Sequence, residues 1–239
     1  MSILTGQVAI ITGATSGIGR AIARDLGSIG VRLVLTGRRE QRLRELAGEL
    51  ADIAIVPGDI TDPALPAKLL ATALERFGRC DIVFNGAGVM DAGTIEETDI
   101  ERICHMARIN VEAAYRMAYV ALKHFRSVNS GHLINVSSIL GTKVRPGAGA
   151  YAGTKYAIEA LSEALRMEVG GSNIKVSCLA PGLVLTELHD HWPVHPAKRL
   201  NITKPVMPEE VARCVRFILE QPDHVRIPRL LIMPGEQQL

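Results

Sequence analysis

Aromatic residues and cysteines are both scarce in this chain. Phe, Trp and Tyr make up 4% of its 239 residues, so the core must be aliphatic. The cysteines are scattered and lack the spacing of metal ligands, which favours reduced, mostly buried thiols of a cytosolic protein. They are Cys80, Cys104, Cys178 and Cys214.

An excess of one charge and long apolar runs are also lacking. The 27 basic and 25 acidic residues give a net charge of +2, which argues against a dedicated nucleic-acid or membrane-surface binder, because such a protein needs a basic face. No apolar run approaches the length that spans a bilayer, and the first residues lack the basic start of a secretory signal. We therefore expect a cytoplasmic protein.

Hydrophobic residues, at 47%, and charged residues, at 22%, have globular proportions, and the length suits one domain, residues 1–239. Short β-branched runs alternate with segments of helical length. The predicted strands are Val8–Thr12, Arg32–Thr36, Ile53–Pro57, Ile82–Asn85, His132–Val136, Lys175–Leu179 and Leu230–Met233. The predicted helices are Gly17–Ser28, Arg39–Ala51, Ala64–Phe77, Ile100–Phe125, Tyr151–Glu168 and Pro208–Glu220.

Most of these strands are apolar on both faces, as strands buried between two helix layers must be. The alternation predicts an α/β fold: a single-domain, Rossmann-type, doubly wound parallel sheet of about seven strands with helices on both faces. One long irregular stretch, segment 182–205, interrupts the alternation. A loop of that length in a compact domain is typical of a substrate loop or lid.

A glycine-rich loop, Thr12-Gly13-Ala14-Thr15-Ser16-Gly17-Ile18-Gly19, follows the first predicted strand. Glycines let the backbone approach a pyrophosphate, and the next helix offers free N–H groups and its positive dipole end. The spacing, G-x-x-x-G-x-G, differs from the common G-x-G-x-x-G. The loop predicts a dinucleotide site, with a strand-to-helix turn that binds nothing as the alternative.

The end of the second predicted strand has no acidic residue. A carboxylate there would bond the ribose 2′-hydroxyl of NAD, whereas this chain has Gly37-Arg38-Arg39. Guanidinium groups pair well with phosphate, so the two arginines favour NADP (NADPH) as the cofactor. The alternative is that they are solvated residues in the first turn of the next helix.

Tyr151 and Lys155 share one face at the start of a predicted helix. A free phenol, with a pKa of about 10, is a poor acid–base catalyst at neutral pH, and a nearby ammonium would stabilise the phenolate. Alone, Tyr-x-x-x-Lys usually occurs on a protein surface by chance. It indicates a catalytic site only together with the other motifs.

Several motifs stand in a fixed order along the chain. They are Thr12-Gly13-x-x-x-Gly17-x-Gly19, Asn85-Gly86-Ala87-Gly88, Asn110, Ser138, Tyr151-x-x-x-Lys155 and Pro181-Gly182. With this set the chain resembles the short-chain dehydrogenase/reductase family from its first strand to its last. The segment Gly37-Arg38-Arg39 resembles the NADP-preferring branch, and the chain end resembles members that act on serine, allo-threonine and other 3-hydroxy acids.

The resemblance implies an NADP(H)-dependent oxidoreductase that transfers a hydride between the nicotinamide and a secondary alcohol or carbonyl compound, such as a small 3-hydroxy acid or amino alcohol. It makes Tyr151 the general acid/base. Ser138 would orient the substrate oxygen, with Ser137 as the competing choice. Lys155 would bind the nicotinamide ribose and lower the pKa of the phenol, and Asn110 would hold a water of a proton relay.

The resemblance also implies a set of cofactor-binding residues. Asp59 would contact adenine, its alternative being a turn aspartate. The backbone of Pro181–Thr186 would hold the carboxamide. The full set is Gly13, Thr15, Ser16, Gly17, Ile18, Gly19, Gly37, Arg38, Arg39, Asp59, Ile60, Asn85, Ala87, Gly88, Tyr151, Lys155, Pro181, Gly182, Val184 and Thr186.

Segment 182–205 leaves three readings open. Its histidines would line or cover a substrate pocket together with Trp192, or they would belong to a plain solvated loop. A zinc site is the least favoured reading, and no catalytic metal is expected. The histidines are His189, His191 and His195. A carboxylate-bearing substrate would want a cation near this lid, and the candidates are Arg145, Lys143 and Lys198.

The family packs its long helices between subunits, so we expect a homotetramer or a homodimer, with no nucleic-acid or membrane partner. The small residues on those helices are Ala113, Ala114, Ala118, Ala157, Ala160 and Ala164. The competing function is a non-catalytic NADP-binding redox sensor or regulator on the same fold. Such proteins usually lose part of the catalytic set, which is complete here.

Overall fold

A single parallel sheet organises the chain in the computed structural model, which describes residues 2–238. Within that range the strands are β1 (Val8–Thr12), β2 (Arg32–Gly37), β3 (Ile53–Pro57), β4 (Ile82–Asn85), β5 (Gly131–Val136), β6 (Ile174–Pro181) and β7 (Arg229–Ile232). They lie in the order β3-β2-β1-β4-β5-β6-β7, and every neighbouring pair is parallel. The predicted strands are confirmed: β1, β3 and β4 have the predicted ends, and the ends of the others differ by at most two residues.

Helices cover both faces of the sheet. They are α1 (Gly17–Ser28), α2 (Glu40–Glu49), α3 (Leu65–Phe77), α4 (Ile100–Ala107), α5 (Ala114–Val128), α6 (Gly149–Glu168), α7 (Pro196–Arg199) and α8 (Pro208–Leu219). Helices α1, α2 and α8 pack on one face, and α3, α5 and α6 pack on the other. The doubly wound α/β fold predicted from the sequence is confirmed.

The core is aliphatic, as the scarcity of aromatic residues requires. Strand β1 is buried along its whole length, and its side chains alternate between the two faces. Ala9 and Ile11 join the cluster under α1, while Val8 and Ile10 join the cluster under α3 and α5. A strand can be apolar on both faces here because each face is covered by helices.

The chain is helical over the whole of the predicted helix Ile100–Phe125, but a wider turn interrupts the regular α-helix. Helix α4 ends at Ala107, and Arg108–Ala113 forms a π turn before α5 begins. A π turn places one extra residue in a helical turn, and such turns occur often at functional sites. Asn110 lies within it.

Segment 182–205 is less irregular than predicted. A 3₁₀ turn covers Glu187–His189, helix α7 follows, and Val184 pairs with Val206 in an isolated parallel bridge. The segment therefore has a fixed path over the sheet edge.

Two of the four cysteines are buried, fewer than expected. Cys80 and Cys178 are buried, Cys214 is half-buried and Cys104 is exposed, and all are free thiols. None of the helices in residues 2–238 is both long enough and apolar enough to cross a bilayer.

Candidate active site

A crevice opens at the carboxyl ends of the strands, where the chain order reverses between β1 and β4. In open α/β sheets the loops leave in opposite directions at this point, and ligands bind between them. The crevice holds a cavity of about 560 Å³, whose lining runs from the glycine loop after β1 to the start of α6. We call these its glycine end and its tyrosine end.

The glycine end is built from main chain. The Thr12 hydroxyl accepts hydrogen bonds from the backbone N–H groups of Gly86 (2.9 Å) and Ala87 (3.0 Å), which ties the loop after β4 to β1. A Cβ on Gly13, whose φ is +74°, would lie 3.1 Å from the Gly86 carbonyl oxygen. A Cβ on Gly19 would overlap the Gly13 carbonyl oxygen. These glycines are therefore required by close backbone approach.

An acidic side chain lies at the start of α1. The Gly17 N–H donates to Glu187 Oε2 at 3.0 Å. Arg42 Nη1 donates to Glu187 Oε1 at 3.2 Å, and Arg20 Nη2 lies 3.6 Å from the same oxygen. The start of α1 is thus paired with an acidic side chain of the protein itself. Sequence reasoning missed Glu187, because a lone glutamate in an irregular segment carries no signal of a partner far back in the chain.

The two arginines after β2 line the cavity and are exposed. Arg39 donates from Nε (3.3 Å) and Nη2 (3.0 Å) to the Thr15 hydroxyl, so it is held against the glycine loop. Partial burial, and then the like charge of Arg42, lower the pKa of Arg39. The end of β2 is therefore a concentration of positive charge.

Asp59 fits both readings offered for it. Its Oδ1 accepts from the Thr61 N–H (2.9 Å) and the Thr61 hydroxyl (2.8 Å), which makes it a turn aspartate. The first of these bonds is the main cause that lowers the pKa of Asp59. Asp59 also lines the cavity beside Ile60.

The tyrosine end carries buried side chains. Tyr151 is 7% exposed, and burial raises its pKa to about 12, opposed by a hydrogen bond with Ser138 and by the charge of Arg145. Lys155 Nζ donates to the Val136 carbonyl oxygen at 3.0 Å and lies 5.7 Å from the centre of the Tyr151 ring. Burial lowers the pKa of Lys155 to about 8.

This differs from the expectation that Lys155 would lower the pKa of the phenol. In the free protein burial outweighs the groups that oppose it, and those groups are Ser138 and Arg145. The Lys155 ammonium is bonded to a backbone carbonyl and lies over the ring of Tyr151. Activation of the phenol therefore needs more than this lysine.

The two neighbouring serines have different partners. Ser137 Oγ donates to the Lys155 carbonyl oxygen at 3.3 Å, so its hydroxyl is turned toward the backbone of α6. Ser138 Oγ accepts from the Leu140 N–H at 3.2 Å and donates to the Pro181 carbonyl oxygen at 3.4 Å, and it lies close enough to the Tyr151 hydroxyl to oppose the rise in the pKa of that phenol. Both line the cavity, and the contact with Tyr151 favours Ser138 as the one that faces a substrate oxygen.

Two residues of the predicted set do not line the cavity. Asn85 Nδ2 donates to the Ala114 carbonyl oxygen (2.8 Å) and to Asn135 Oδ1 (3.0 Å), so the side chain lies in the buried layer between the sheet and α5. The Asn85 side chain fastens the end of β4, so it gives no support to the predicted contact with cofactor.

The other is Asn110, whose side-chain amide bonds the protein's own groups and does not line the cavity. Its Oδ1 accepts from the Val89 N–H at 2.9 Å, and its Nδ2 donates to the Val89 carbonyl oxygen at 2.9 Å and to Thr154 Oγ1 at 3.2 Å. Val89 does line the cavity. The side chain of Asn110 is thereby a positioning group, and the predicted water relay gains no support from its amide.

The other predicted residues all line the cavity. They are Gly13, Thr15, Ser16, Gly17, Ile18, Gly19, Gly37, Arg38, Arg39, Asp59, Ile60, Ala87, Gly88, Ser138, Tyr151, Lys155, Pro181, Gly182, Val184 and Thr186. Gln237 also lines it and accepts from the Leu183 N–H at 2.8 Å, a contact from the chain end that sequence reasoning missed.

Segment 182–205 contributes part of the lining at the tyrosine end. His189 and His191 line the cavity, and the His189 ring meets Trp192 edge-on with centroids 5.2 Å apart. His195 instead caps α7 by accepting from the Ala197 N–H at 3.2 Å. Within residues 2–238 no group of three or more His, Cys, Asp or Glu side chains is placed to hold a metal ion.

Arg145 also lines the tyrosine end, whereas Lys143 and Lys198 do not. Burial, and then the charge of Arg199, lower the pKa of Arg145. Among residues 2–238 its guanidinium has no hydrogen-bond or ion-pair partner. It is a half-buried cation with its bonding capacity free.

Comparison with known proteins places this site in context. A family model described as "short chain dehydrogenase" matches residues 7–195. An uncharacterized oxidoreductase of Staphylococcus aureus (strain N315) is 33% identical, over 98% of this chain and 100% of that protein. The closed form of a serine dehydrogenase complexed with NADP+ superposes with a TM-score of 0.91 at 29% identity, covering 98% of this chain and 97% of that one. An alcohol dehydrogenase from Thermococcus sibiricus, complexed with 5-hydroxy-NADP, has a TM-score of 0.87 at 29% identity, with 98% of each chain covered.

Proposed function

The chain belongs to the short-chain dehydrogenase family. We propose that it is an NADP(H)-dependent oxidoreductase that interconverts a secondary alcohol and the corresponding carbonyl compound. The observation that carries the proposal is the meeting of Ser138, Tyr151 and Lys155 at one end of a cavity whose other end is a glycine cradle. No observation favours a non-catalytic sensor.

A dinucleotide fits the residues present. Gly13 and Gly19 let the backbone of the loop pass close to its neighbours beside the cavity, and α1 begins at this loop, so the N-terminal end of the helix suits a pyrophosphate. Arg38 and Arg39 would hold the 2′-phosphate of NADP, and Asp59 the adenosine. When bound, the nicotinamide supplies or accepts the hydride. The NADP-bound serine dehydrogenase supports this choice of cofactor.

The chain's own residues would handle the proton. In the reducing direction the Tyr151 hydroxyl gives its proton to the carbonyl oxygen as the carbon–oxygen double bond becomes an alcohol. Ser138 donates a hydrogen bond to the same oxygen and holds it beside the phenol. The resulting phenolate is unfavourable in so dry a site, so cations near it matter, and Lys155 and Arg145 are the cations present.

We propose that the substrate carries a carboxylate bound by Arg145. The acidic residues that line the cavity, Asp59 and Glu187, lie toward its glycine end, so no carboxylate of the protein neutralises this guanidinium. A half-buried guanidinium pairs strongly with a carboxylate in a bidentate geometry. This supports a small 3-hydroxy acid, serine included, over a simple ketone or an amino alcohol without an acid group.

The test compares 3-hydroxybutanoate with its methyl ester in Arg145→Gln, using Lys143→Gln as the control for loss of one exposed charge in the same loop. We expect kcat/KM for the acid to fall by about 10- to 100-fold in Arg145→Gln, while the ester changes by less than about threefold. Equal losses on both compounds would contradict carboxylate binding. No turnover of any alcohol or carbonyl compound by the wild type would contradict the oxidoreductase itself.

We further propose a homo-oligomer, a tetramer or a dimer. Ala113, Ala114 and Ala118 are buried within the protomer and are not available for an interface. On α6, however, Ala160 and Ala164 are exposed beside Tyr156, which is 43% exposed. Light scattering on the purified protein tests this, and a monomer at every concentration would contradict it.

A further inference from the structure

The Glu187 carboxylate lies where the pyrophosphate of a cofactor would bind. Its carboxylate accepts from the Gly17 N–H, in the first turn of α1, where the cradle would receive the dinucleotide's pyrophosphate. Arg42 at 3.2 Å and Arg20 at 3.6 Å neutralise the same carboxylate. A carboxylate so held is in the position of a bound anion.

The pyrophosphate and this carboxylate would compete for one place. Both are negatively charged, and the donors at the helix start are limited to a few N–H groups and the flanking guanidiniums. The space is also closed on one side, because a Cβ on Gly17 would lie only 2.9 Å from the Thr186 methyl carbon. A dinucleotide can use this cradle only if the Glu187 side chain leaves it.

We propose that Glu187 is a built-in competitor of the cofactor, and that its displacement by the dinucleotide releases the turn Glu187–His189 and reshapes the tyrosine end of the cavity. The proposal rests on the proposed dinucleotide site and goes beyond it.

The link from Glu187 to the substrate side is short. The turn is fastened at its start by the Thr186 hydroxyl, which accepts from the Leu188 N–H at 3.3 Å. His189, at the end of the turn, lines the cavity and packs against Trp192. Movement of Glu187 therefore moves a cavity wall together with the single tryptophan of the chain.

Glu187→Gln tests the competition, because it keeps the size of the side chain and removes its charge. We expect the dissociation constant for NADP+, measured by calorimetry, to fall by about fivefold or more. Glu49→Gln is the matched control, since Glu49 also pairs with an arginine of α1, Arg24 at 2.8 Å, and does not line the cavity. We expect its affinity to equal that of the wild type.

The fluorescence of Trp192 tests the coupling independently of turnover. In the wild type, NADP+ should change the emission of Trp192. In Glu187→Gln the free protein should already show much of that change, because the turn is no longer held at α1. Glu49→Gln should respond as the wild type does.

Three results would overturn the proposal. Unchanged NADP+ affinity in Glu187→Gln would mean that the carboxylate does not compete. Weaker NADP+ affinity in Glu187→Gln would mean that the carboxylate helps to bind the cofactor instead of competing with it. No NADP+ binding by any of the three proteins would overturn the proposed function as well, so the two failures are distinguishable.

Discussion

The two ends of the cavity differ in their lining, which is mainly main chain at one end and side chains at the other. At the glycine end the wall is main chain held close: the loop after β1 touches the loop after β4, and Gly13 and Gly19 leave no space for a Cβ. At the tyrosine end the wall is side chains, with Ser138 carried by the end of β5 and Tyr151 and Lys155 by α6.

The two ends should therefore fail in opposite ways. Added atoms should damage the glycine end, because its shape depends on close backbone contact. Removed groups should damage the tyrosine end, because a single hydroxyl or ammonium there carries a defined role. The variants below separate these two kinds of failure.

The largest effect should follow from removing one hydroxyl at the tyrosine end. We expect Ser138→Ala to lower kcat by about 100- to 1000-fold, because a donor to the substrate oxygen is lost. Ser137→Ala should lower kcat by less than about tenfold, because that hydroxyl bonds the Lys155 carbonyl oxygen instead. Steady-state kinetics of the pair decides which serine acts, and equal losses would contradict the assignment.

Adding one methyl group should break the glycine end. In Gly19→Ala the new Cβ would overlap the Gly13 carbonyl oxygen, so the backbone of the glycine loop must move to relieve the overlap. We therefore expect NADPH affinity to fall by more than about tenfold. Gly48→Ala is the control, since a Cβ there meets nothing within 4 Å, and the helix should gain about 0.4–1 kcal/mol. Fluorescence titration and thermal unfolding measure both effects. Wild-type NADPH affinity in Gly19→Ala would refute the cradle.

Charge rather than shape should decide the choice of cofactor. We expect the double variant Arg38→Gln/Arg39→Gln to bind NADPH about tenfold more weakly, because charge-assisted bonds to the 2′-phosphate are lost. NADH affinity should change by less than about threefold, since NADH lacks that phosphate. Parallel titrations with the two cofactors measure the ratio. A preference for NADH in the wild type would contradict binding of the 2′-phosphate by these arginines.

The last prediction concerns the stability of the fold, and we expect it to leave both ends of the cavity unchanged. His132, near the start of β5, bonds Ser177 at 2.9 Å, and burial, with smaller contributions from Lys175 and Arg226, lowers its pKa from 6.5 to about 3. Between those values the unfolded chain binds a proton that the folded protein does not.

Stability should therefore fall as the pH drops below 6.5, by up to about 1.4 kcal/mol per pH unit from this group. Denaturant unfolding across that range should give a shallower slope for His132→Gln than for the wild type. The exposed His224 serves as control, and His224→Gln should keep the wild-type slope. Identical slopes in all three proteins would contradict the burial effect.

Sequence patterns predicted the parts of this molecule that depend on local chemistry. The strands are short buried runs, and the glycine loop must stand between β1 and α1, so both could be read from neighbouring residues. Arg38 and Arg39 could be placed at the cavity because the end of β2 lies beside the end of β1 in a parallel sheet.

The parts that depend on distant contacts could not be predicted in this way. The π turn at Arg108–Ala113 adds a residue to a helical turn without changing the apolar pattern enough to reveal it. Glu187 and Gln237 enter the site through contacts with Gly17 and Leu183. The amide of Asn85 faces the buried layer, which depends on where α5 packs.

Tyr151 should move the proton through its hydroxyl, while the rest of the side chain still lines the cofactor site. Tyr151→Phe tests this most directly, with NADPH binding and turnover of 3-hydroxybutanoate and its ketone measured on the same preparation. We expect wild-type NADPH affinity and a loss of turnover of at least about 100-fold. Turnover within a few-fold of the wild type, with cofactor still bound, would contradict it.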